Sequence, residues 1–206
     1  CMPIKNDLHR RECHAMNKTL VLDVGGVLAS NLTPGLWEQL ASIGSCDQKH
    51  LYADYKDEVS EKLWCGQISE EQWWEWLSAR GVIVAEEQRS NLITNHLKPL
   101  PALELLPAWS QRCDIVIMSN HRTEWLSPLL SHSRAYIKNC FISDQAGMYK
   151  PSLDWFRLVD QHISTPVHFV DDSEKNISAA KQLGWQTTLA DKHGKWTAAI
   201  DEWLRS

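Results

Sequence analysis

Three short runs of apolar, mostly β-branched residues stand out along the chain: Thr19 to Val24, Ile115 to Met118 and Val167 to Val170. Each is nearly continuous in hydrophobicity and stops abruptly at polar or glycine residues, the pattern of strands buried on both faces of a parallel sheet. Cys140 to Ile142 and Gln186 to Leu189 are weaker runs of the same kind. Between them lie helical stretches, as over Leu153 to Gln161 and Lys175 to Leu183, the second closed by Gly184. Strands alternating with helices predict an α/β fold, a parallel sheet with helices on both faces.

From Thr33 to Leu97 the alternation stops. This stretch reads as four helices, Pro34 to Ile43, Asp47 to Trp64, Glu70 to Arg80 and Ala85 to Lys98, with Gly44, Gly66 and Gly81 at their ends. Ser69 followed by Glu70, Glu71 and Gln72 is a capping-box pattern with an acidic first turn. Trp73, Trp76 and Leu77 fall at helical spacing and predict one face of a bundle core. The expected organisation is therefore a loosely held leader at 1–17, a sheet core from 18–32 and 98–206, and a helical unit at 33–97 inserted after the first strand.

Charge and composition narrow the partners. A net charge of -5 with no lysine or arginine run lacks the basic stripe of a nucleic-acid binder. No apolar stretch approaches the ~20 residues that span a bilayer, so no membrane partner is expected. The six cysteines are widely spaced, without a C-x-x-C pair, which reads as reduced thiols in a cytoplasmic protein. Oligomeric state is not legible.

In sheets of this kind ligands sit beyond the carboxyl ends of the strands. The first strand runs into Asp23 and then Val24-Gly25-Gly26-Val27; the second runs into Ser119-Asn120-His121; the third runs into Asp171-Asp172-Ser173. Lys150 lies between the last two, just before a helix. Three carboxylates, a hydroxyl and a lysine thus converge on one edge. Phosphate chemistry has a use for each of them. A carboxylate can attack phosphorus and form an aspartyl phosphate. Magnesium, which prefers oxygen ligands, neutralises the anions, and the lysine and hydroxyl stabilise the phosphoryl oxygens. Glycines beside the nucleophile let backbone N–H groups approach an anion closely.

Asp23-Val24-Gly25-Gly26-Val27-Leu28, Ser119-Asn120, Lys150-Pro151 and Phe169-Val170-Asp171-Asp172 resemble, in order and spacing, the four motifs of the haloacid dehalogenase-like hydrolase superfamily. The likeness runs from about Thr19 to Leu189 and extends to Asn176-Ile177, Ala179-Ala180 and Leu183-Gly184-Trp185. It implies a Rossmann-like core, a cap at 33–97 that closes over the site, and a magnesium-dependent phosphatase acting on a small phosphorylated metabolite. It further implies Asp23 as nucleophile and metal ligand, the Gly25 carbonyl with Asp171 or Asp172 as further magnesium ligands, and Lys150 bridging the phosphoryl group and Asp23. Ser119 and Asn120 would bind phosphate, with Gly26 and His121 beside them.

One departure changes the chemistry. Most phosphatases of that superfamily carry a second aspartate two residues after the nucleophile, as general acid and base; here that residue is Gly25. Such a group is worth ~100- to 10,000-fold in rate. Three readings stay open: a phosphatase whose leaving group needs no acid, as in a resembling sugar-1-phosphate phosphatase subgroup with glycine here; a phospho-ligand binding module with little hydrolysis; and a haloacid dehalogenase. His121 is a candidate substitute acid, or a rim histidine without a catalytic role.

Overall fold

The computed structural model describes residues 18–206, so the expected leader, with Cys1 and Cys13, lies outside the described residues. Five parallel strands form one sheet: β1 (Thr19–Leu22), β2 (Asp114–Ser119), β3 (Asn139–Ile142), β4 (Val167–Asp171) and β5 (Gln186–Leu189). Their spatial order is β3-β2-β1-β4-β5, with β1 at the centre and paired on one side to β2 and on the other to β4. The chain reverses its winding direction between β1 and β4, and it is beside such a switch that an α/β sheet opens a ligand crevice.

The strands divide their side chains by parity. Leu20, Leu22, Ile115, Ile117 and Val170 join one buried cluster, while Val21, Val116, Met118, Val167 and Phe169 join the other. Both faces are covered, which is why these runs are nearly continuous in hydrophobicity instead of alternating.

After β1 come five helices, not the expected four: α1 (Gly35–Gly44), α2 (Gln48–Glu58), α3 (Ser60–Trp64), α4 (Glu70–Ser78) and α5 (Glu86–Thr94). The second expected helix breaks at Val59, whose φ of -128° and ψ of -35° leave the helical region. Ser60 donates its hydroxyl back to the Lys56 carbonyl at 3.0 Å, a competing bond that bends helices. The capping box at α4 forms as expected, with Ser69 and Gln72 bonded reciprocally. Trp73 and Leu77 are buried, but Trp76 is not. Its indole donates to Glu58 at 2.9 Å and the Arg80 guanidinium stacks 4.0 Å from its ring, while Trp74 takes the core place instead.

The rest of the chain supplies the layers around the sheet. A 3-10 turn at Pro101–Leu105 leads into α6 (Leu106–Trp109); α7 (Thr123–Leu130) follows β2, and the short α8 (Ser143–Ala146) follows β3. Next come α9 (Leu153–Asp160), α10 (Glu174–Gln182) and α11 (Thr197–Arg205). Trp155, Phe156 and Val159 of α9, with Ile177, Ala179 and Ala180 of α10, cover one face. Trp109, Trp125, Ile200 and Leu204 lie on the other, together with the buried residues of α1–α5. No helix among the described residues is long and apolar enough to cross a membrane. Cys46, Cys65, Cys113 and Cys140 are free thiols.

Candidate active site

The strand ends bring the sequence motifs together. Asp23 follows β1 directly, and its N–H still bonds to the Val170 carbonyl at 3.0 Å, so the central ladder holds its backbone. Its Oδ1 accepts from the Ser119 hydroxyl and from the Val24 N–H, both at 2.7 Å. Its Oδ2 lies 2.9 Å from Lys150 Nζ. The same ammonium bonds to Asp171 Oδ2 at 2.5 Å, and neither the lysine nor the Asp171 side chain has any solvent exposure. Asn176 donates to both Asp171 oxygens, and the Ser173 N–H donates to Oδ1 at 2.8 Å.

Burial alone would strip Lys150 of its charge, but Asp23 and Asp171 outweigh it and raise the lysine above its ordinary value. Burial, reinforced by the Asp23 charge, pushes the Asp171 carboxyl up against the opposing pull of Lys150 and Asn176. The two acids beside Lys150 thus favour its ammonium form.

Two of the expected site residues also have partners within the protein. Asn120 clamps the Lys150 backbone, accepting from its N–H at 2.7 Å and donating to its carbonyl at 2.9 Å. The amide thus positions the lysine, leaving one side-chain hydrogen and the backbone N–H for a ligand. His121 has its backbone N–H bonded to Ser143 and its ring packed edge-on against Trp64 and Trp125. Burial, with Lys150 nearby, lowers its pKa to about 4. That shift disfavours the imidazolium, the form in which a histidine serves as a general acid.

The glycines are explained by close approach. Gly26 has φ +69°, and a Cβ there would overlap the Asp172 carboxylate. A Cβ at Gly25 would lie 2.6 Å from Asn31 Oδ1, while Asn31 Nδ2 donates to Asp172 at 2.8 Å. Asn31 thus occupies the space into which a second aspartate would project. In the sequence alone, an Asx residue shortly before a helix reads as a turn or cap.

Asp23, Gly25, Asn31, Ser119, Asn120 and His121 line a cavity of about 280 Å³, with Leu32, Thr33 and Trp64 on its remaining walls. Trp64 comes from α3, so the helical segment contributes directly to the site. Arg122, two residues beyond Asn120, is buried and donates to the carbonyls of Leu63 (3.1 Å) and Ile68 (2.9 Å) on either side of that tryptophan's turn. Neither Trp64 nor Arg122 carries a motif signature.

Carboxylate oxygens of Asp23, Asp171 and Asp172 can lie within 4.8 Å of one another, a hard oxygen set suited to a divalent cation.

No family model matches the chain. Over 55 residues it is 46% identical to drimenol cyclase drtB of Aspergillus calidoustus, a match covering 25% of this chain and a tenth (10%) of that relative's length. Solved structures resemble it over most of its length. A HAD family enzyme from Bacteroides thetaiotaomicron superposes with TM-score 0.79 at 22% identity, covering 89% of this chain and 98% of that one. That enzyme has also been solved in complex with magnesium and inorganic phosphate, with TM-score 0.76 and 21% identity over 89% of this chain and 98% of that one. A HAD-like family hydrolase from Porphyromonas gingivalis gives 0.72 at 22% identity over 93% and 100% of the two chains. The L-2-haloacid dehalogenase of Xanthobacter autotrophicus gives 0.55 at 20% identity over 84% and 77%. With β1 central, the nucleophile candidate at its carboxyl end and helices inserted directly after it, the described chain has the fold of the haloacid dehalogenase-like hydrolases.

Proposed function

We propose that this chain is a magnesium-dependent phosphatase that hydrolyses a small phosphate monoester through an aspartyl phosphate on Asp23. The observation that carries the reading is the buried Asp23–Lys150–Asp171 cluster, with Ser119 on the other Asp23 oxygen. A carboxylate fixed by a hydroxyl, a backbone N–H and an ammonium has one orientation, and a pre-aimed nucleophile avoids the entropy cost of finding it.

A carboxylate oxygen of Asp23 attacks phosphorus, and the bond from phosphorus to the ester oxygen breaks with its electron pair on the leaving alkoxide. The alkoxide takes a proton from water. The hydroxide so formed attacks the aspartyl phosphate, and breaking the bond to Asp23 restores the carboxylate. The sum is ester plus water to alcohol plus hydrogen phosphate. Lys150 and Ser119 supply donors to the transferring oxygens. Asp23, Asp171 and Asp172, with the Gly25 carbonyl, would hold magnesium, which supplies charge neutralisation when bound. The helices from α1 to α5 act as the cap over this site.

Gly25 and Asn31 shape the leaving-group requirement. An amide does not donate a proton as an acid does, and His121 is neutral, so the departing oxygen leaves as an anion. Esters of good leaving groups are the expected substrates. Gly25→Asp alone is expected to leave alkyl phosphate turnover unimproved, because Asn31 Oδ1 stands where the new side chain would project. Gly25→Asp combined with Asn31→Ala raises that turnover by about 100-fold, the lower end of a general acid's worth. Equal gains in the single and double variants would contradict Asn31 as the obstacle.

The direct test is phosphate release from a panel of acyl, anomeric, aryl and alkyl phosphates, with magnesium and with EDTA. Multiple turnovers that EDTA abolishes support the reading. Magnesium-dependent phosphate binding without turnover would replace hydrolysis by a binding role, and halide release from 2-haloacids would replace it by dehalogenation.

A further inference from the structure

A second, smaller cavity of about 120 Å³ adjoins the phosphate cavity, and Leu32, Thr33 and Trp64 line both. Its wall is aromatic but rich in polar edges, because Trp37, Tyr52, Tyr55, Trp73 and Trp125 each bring an N–H or O–H group. The Nε1 atoms of Trp73 and Trp125 are buried and have no hydrogen-bond partner among the described residues. An indole N–H donates and cannot accept. Left unpaired in the interior it is destabilising, and an acceptor oxygen brought by a ligand relieves that cost.

The position of these donors matters as much as their number. The Trp73 and Trp125 rings lie 5.3 Å apart, centroid to centroid, and Trp125 is 5.7 Å from Trp64 and 6.0 Å from His121. Trp64 and His121 line the phosphate cavity, so this ring stack links the chamber to the site of transfer. No aspartate, glutamate, asparagine, glutamine or histidine lines the chamber. Its side-chain acceptors are the hydroxyls of Thr33, Tyr52 and Tyr55 alone, and Lys56 adds an exposed cation. Donors therefore outnumber acceptors.

From this lining we infer that the substrate is an acyl phosphate, a short carboxylic acid joined to phosphate, whose carbonyl oxygen enters the chamber and accepts from an indole N–H. The inference rests on the phosphatase reading and refines its leaving group from an alkoxide to a carboxylate. Two independent features meet in it. The chamber asks for an acceptor, and Gly25, with Asn31 beside it, offers no acid to the departing oxygen. A carboxylate needs none, since carboxylic acids ionise near roughly pH 4.

Asp23 attacks phosphorus, and the bond to the acyl oxygen breaks with its electron pair on the carboxylate. Water then attacks the aspartyl phosphate, one of its protons passing to the phosphate, and Asp23 is restored. Acyl phosphate and water give carboxylate and dihydrogen phosphate. The negative charge that develops spreads to the former carbonyl oxygen, so the indole N–H bond strengthens as the bond to phosphorus breaks. The bond formed to Asp23 is of the same kind as the bond broken, which keeps the first step close to balanced. The chamber is smaller than the roughly 150 Å³ cavity that accepts benzene, which limits the acyl chain to a few carbons.

Phosphonates test this with no bond at phosphorus to break. In 2-oxopropylphosphonate a methylene replaces the bridging oxygen of acetyl phosphate, and propylphosphonate differs from it only in lacking the carbonyl oxygen. With magnesium, at a pH that leaves both headgroups doubly ionised, calorimetry should show the oxo compound binding at least about tenfold tighter, the scale of pairing one buried donor. Trp73→Phe and Trp125→Phe each remove an N–H and keep an aromatic ring, and at least one of them should bring the two affinities close together. Equal affinities in the unaltered protein, a comparison that needs no variant to fold, would overturn the inference. So would a preference that both substitutions leave intact. Acetyl phosphate should also release phosphate faster than 4-nitrophenyl phosphate, whose leaving group is good but carries no carbonyl. The reverse order with no phosphonate preference rejects the acyl group and keeps the phosphatase. No release from any phosphate on the panel, while the phosphonate preference persists, rejects the phosphatase and leaves the chamber selective for a carbonyl.

Discussion

Asp23→Asn is expected to lower phosphate release by about 10⁴-fold or more, the scale on which removal of a catalytic nucleophile acts. The change is nearly isosteric, so the loss is chemical. The remaining Oδ1 can still accept from Ser119 and from the Val24 N–H. The new amide nitrogen faces the Lys150 ammonium where Oδ2 stood at 2.9 Å, placing a donor against a cation. Lys150 keeps Asp171, so the fold is expected to survive, with an unchanged circular dichroism spectrum. Multiple-turnover release in this variant, within tenfold of the parent, would exclude Asp23 as the covalent nucleophile.

Lys150→Met should damage both stability and rate. The lysine side chain is wholly buried between Asp23 and Asp171. Removing it leaves two neighbouring carboxylates without their cation, and breaking a buried ion pair in this way costs about 3–5 kcal/mol. The loss should be read from urea unfolding at neutral pH without metal. Its pH dependence has a definite sign. Without Lys150 the Asp171 carboxyl, already pushed up by burial and by Asp23, rises further above its unfolded value. A carboxyl raised in the folded state binds its proton there first, so the variant regains stability as the pH falls through that raised value. Magnesium should restore part of the loss by supplying another cation. Turnover should fall by about 100- to 1,000-fold, the worth of one donor to the developing charge. A variant as stable as the parent at neutral pH, without metal, would show that the cluster contributes nothing to the fold.

Much of this site was legible beforehand because two simple rules act together. Runs nearly continuous in hydrophobicity must be buried on both faces, which located β1, β2 and β4. The carboxyl ends of such strands are where ligands bind, which drew attention to Asp23, Ser119, Asp171 and Lys150. The structure joins those four side chains within hydrogen-bonding distance. The weak runs at β3 and β5 also proved to be strands, lying at the sheet edges where burial is incomplete.

Side-chain use was less legible. Asn120 reads as a phosphate ligand, and its side chain also holds the Lys150 backbone. His121 reads as a possible acid or a rim histidine, and its burial, with Lys150 nearby, lowers its pKa to about 4. In both cases the residue type permits several roles and the neighbours choose among them.

The sequence by itself determined the order of the strands, the edge at which chemistry gathers, and the absence of an acid at Gly25. Each of these follows from local pattern: hydrophobic period, residue identity and position along the chain. Only the tertiary structure decided that Asn31 folds back over Gly25, that Arg122 anchors the turn bearing Trp64, and that the tryptophans and tyrosines of α1 to α4 leave a chamber beside the phosphate cavity. Those features depend on how segments distant in sequence pack against one another. Packing is set by the summed shape of many side chains, which no periodicity in one segment encodes.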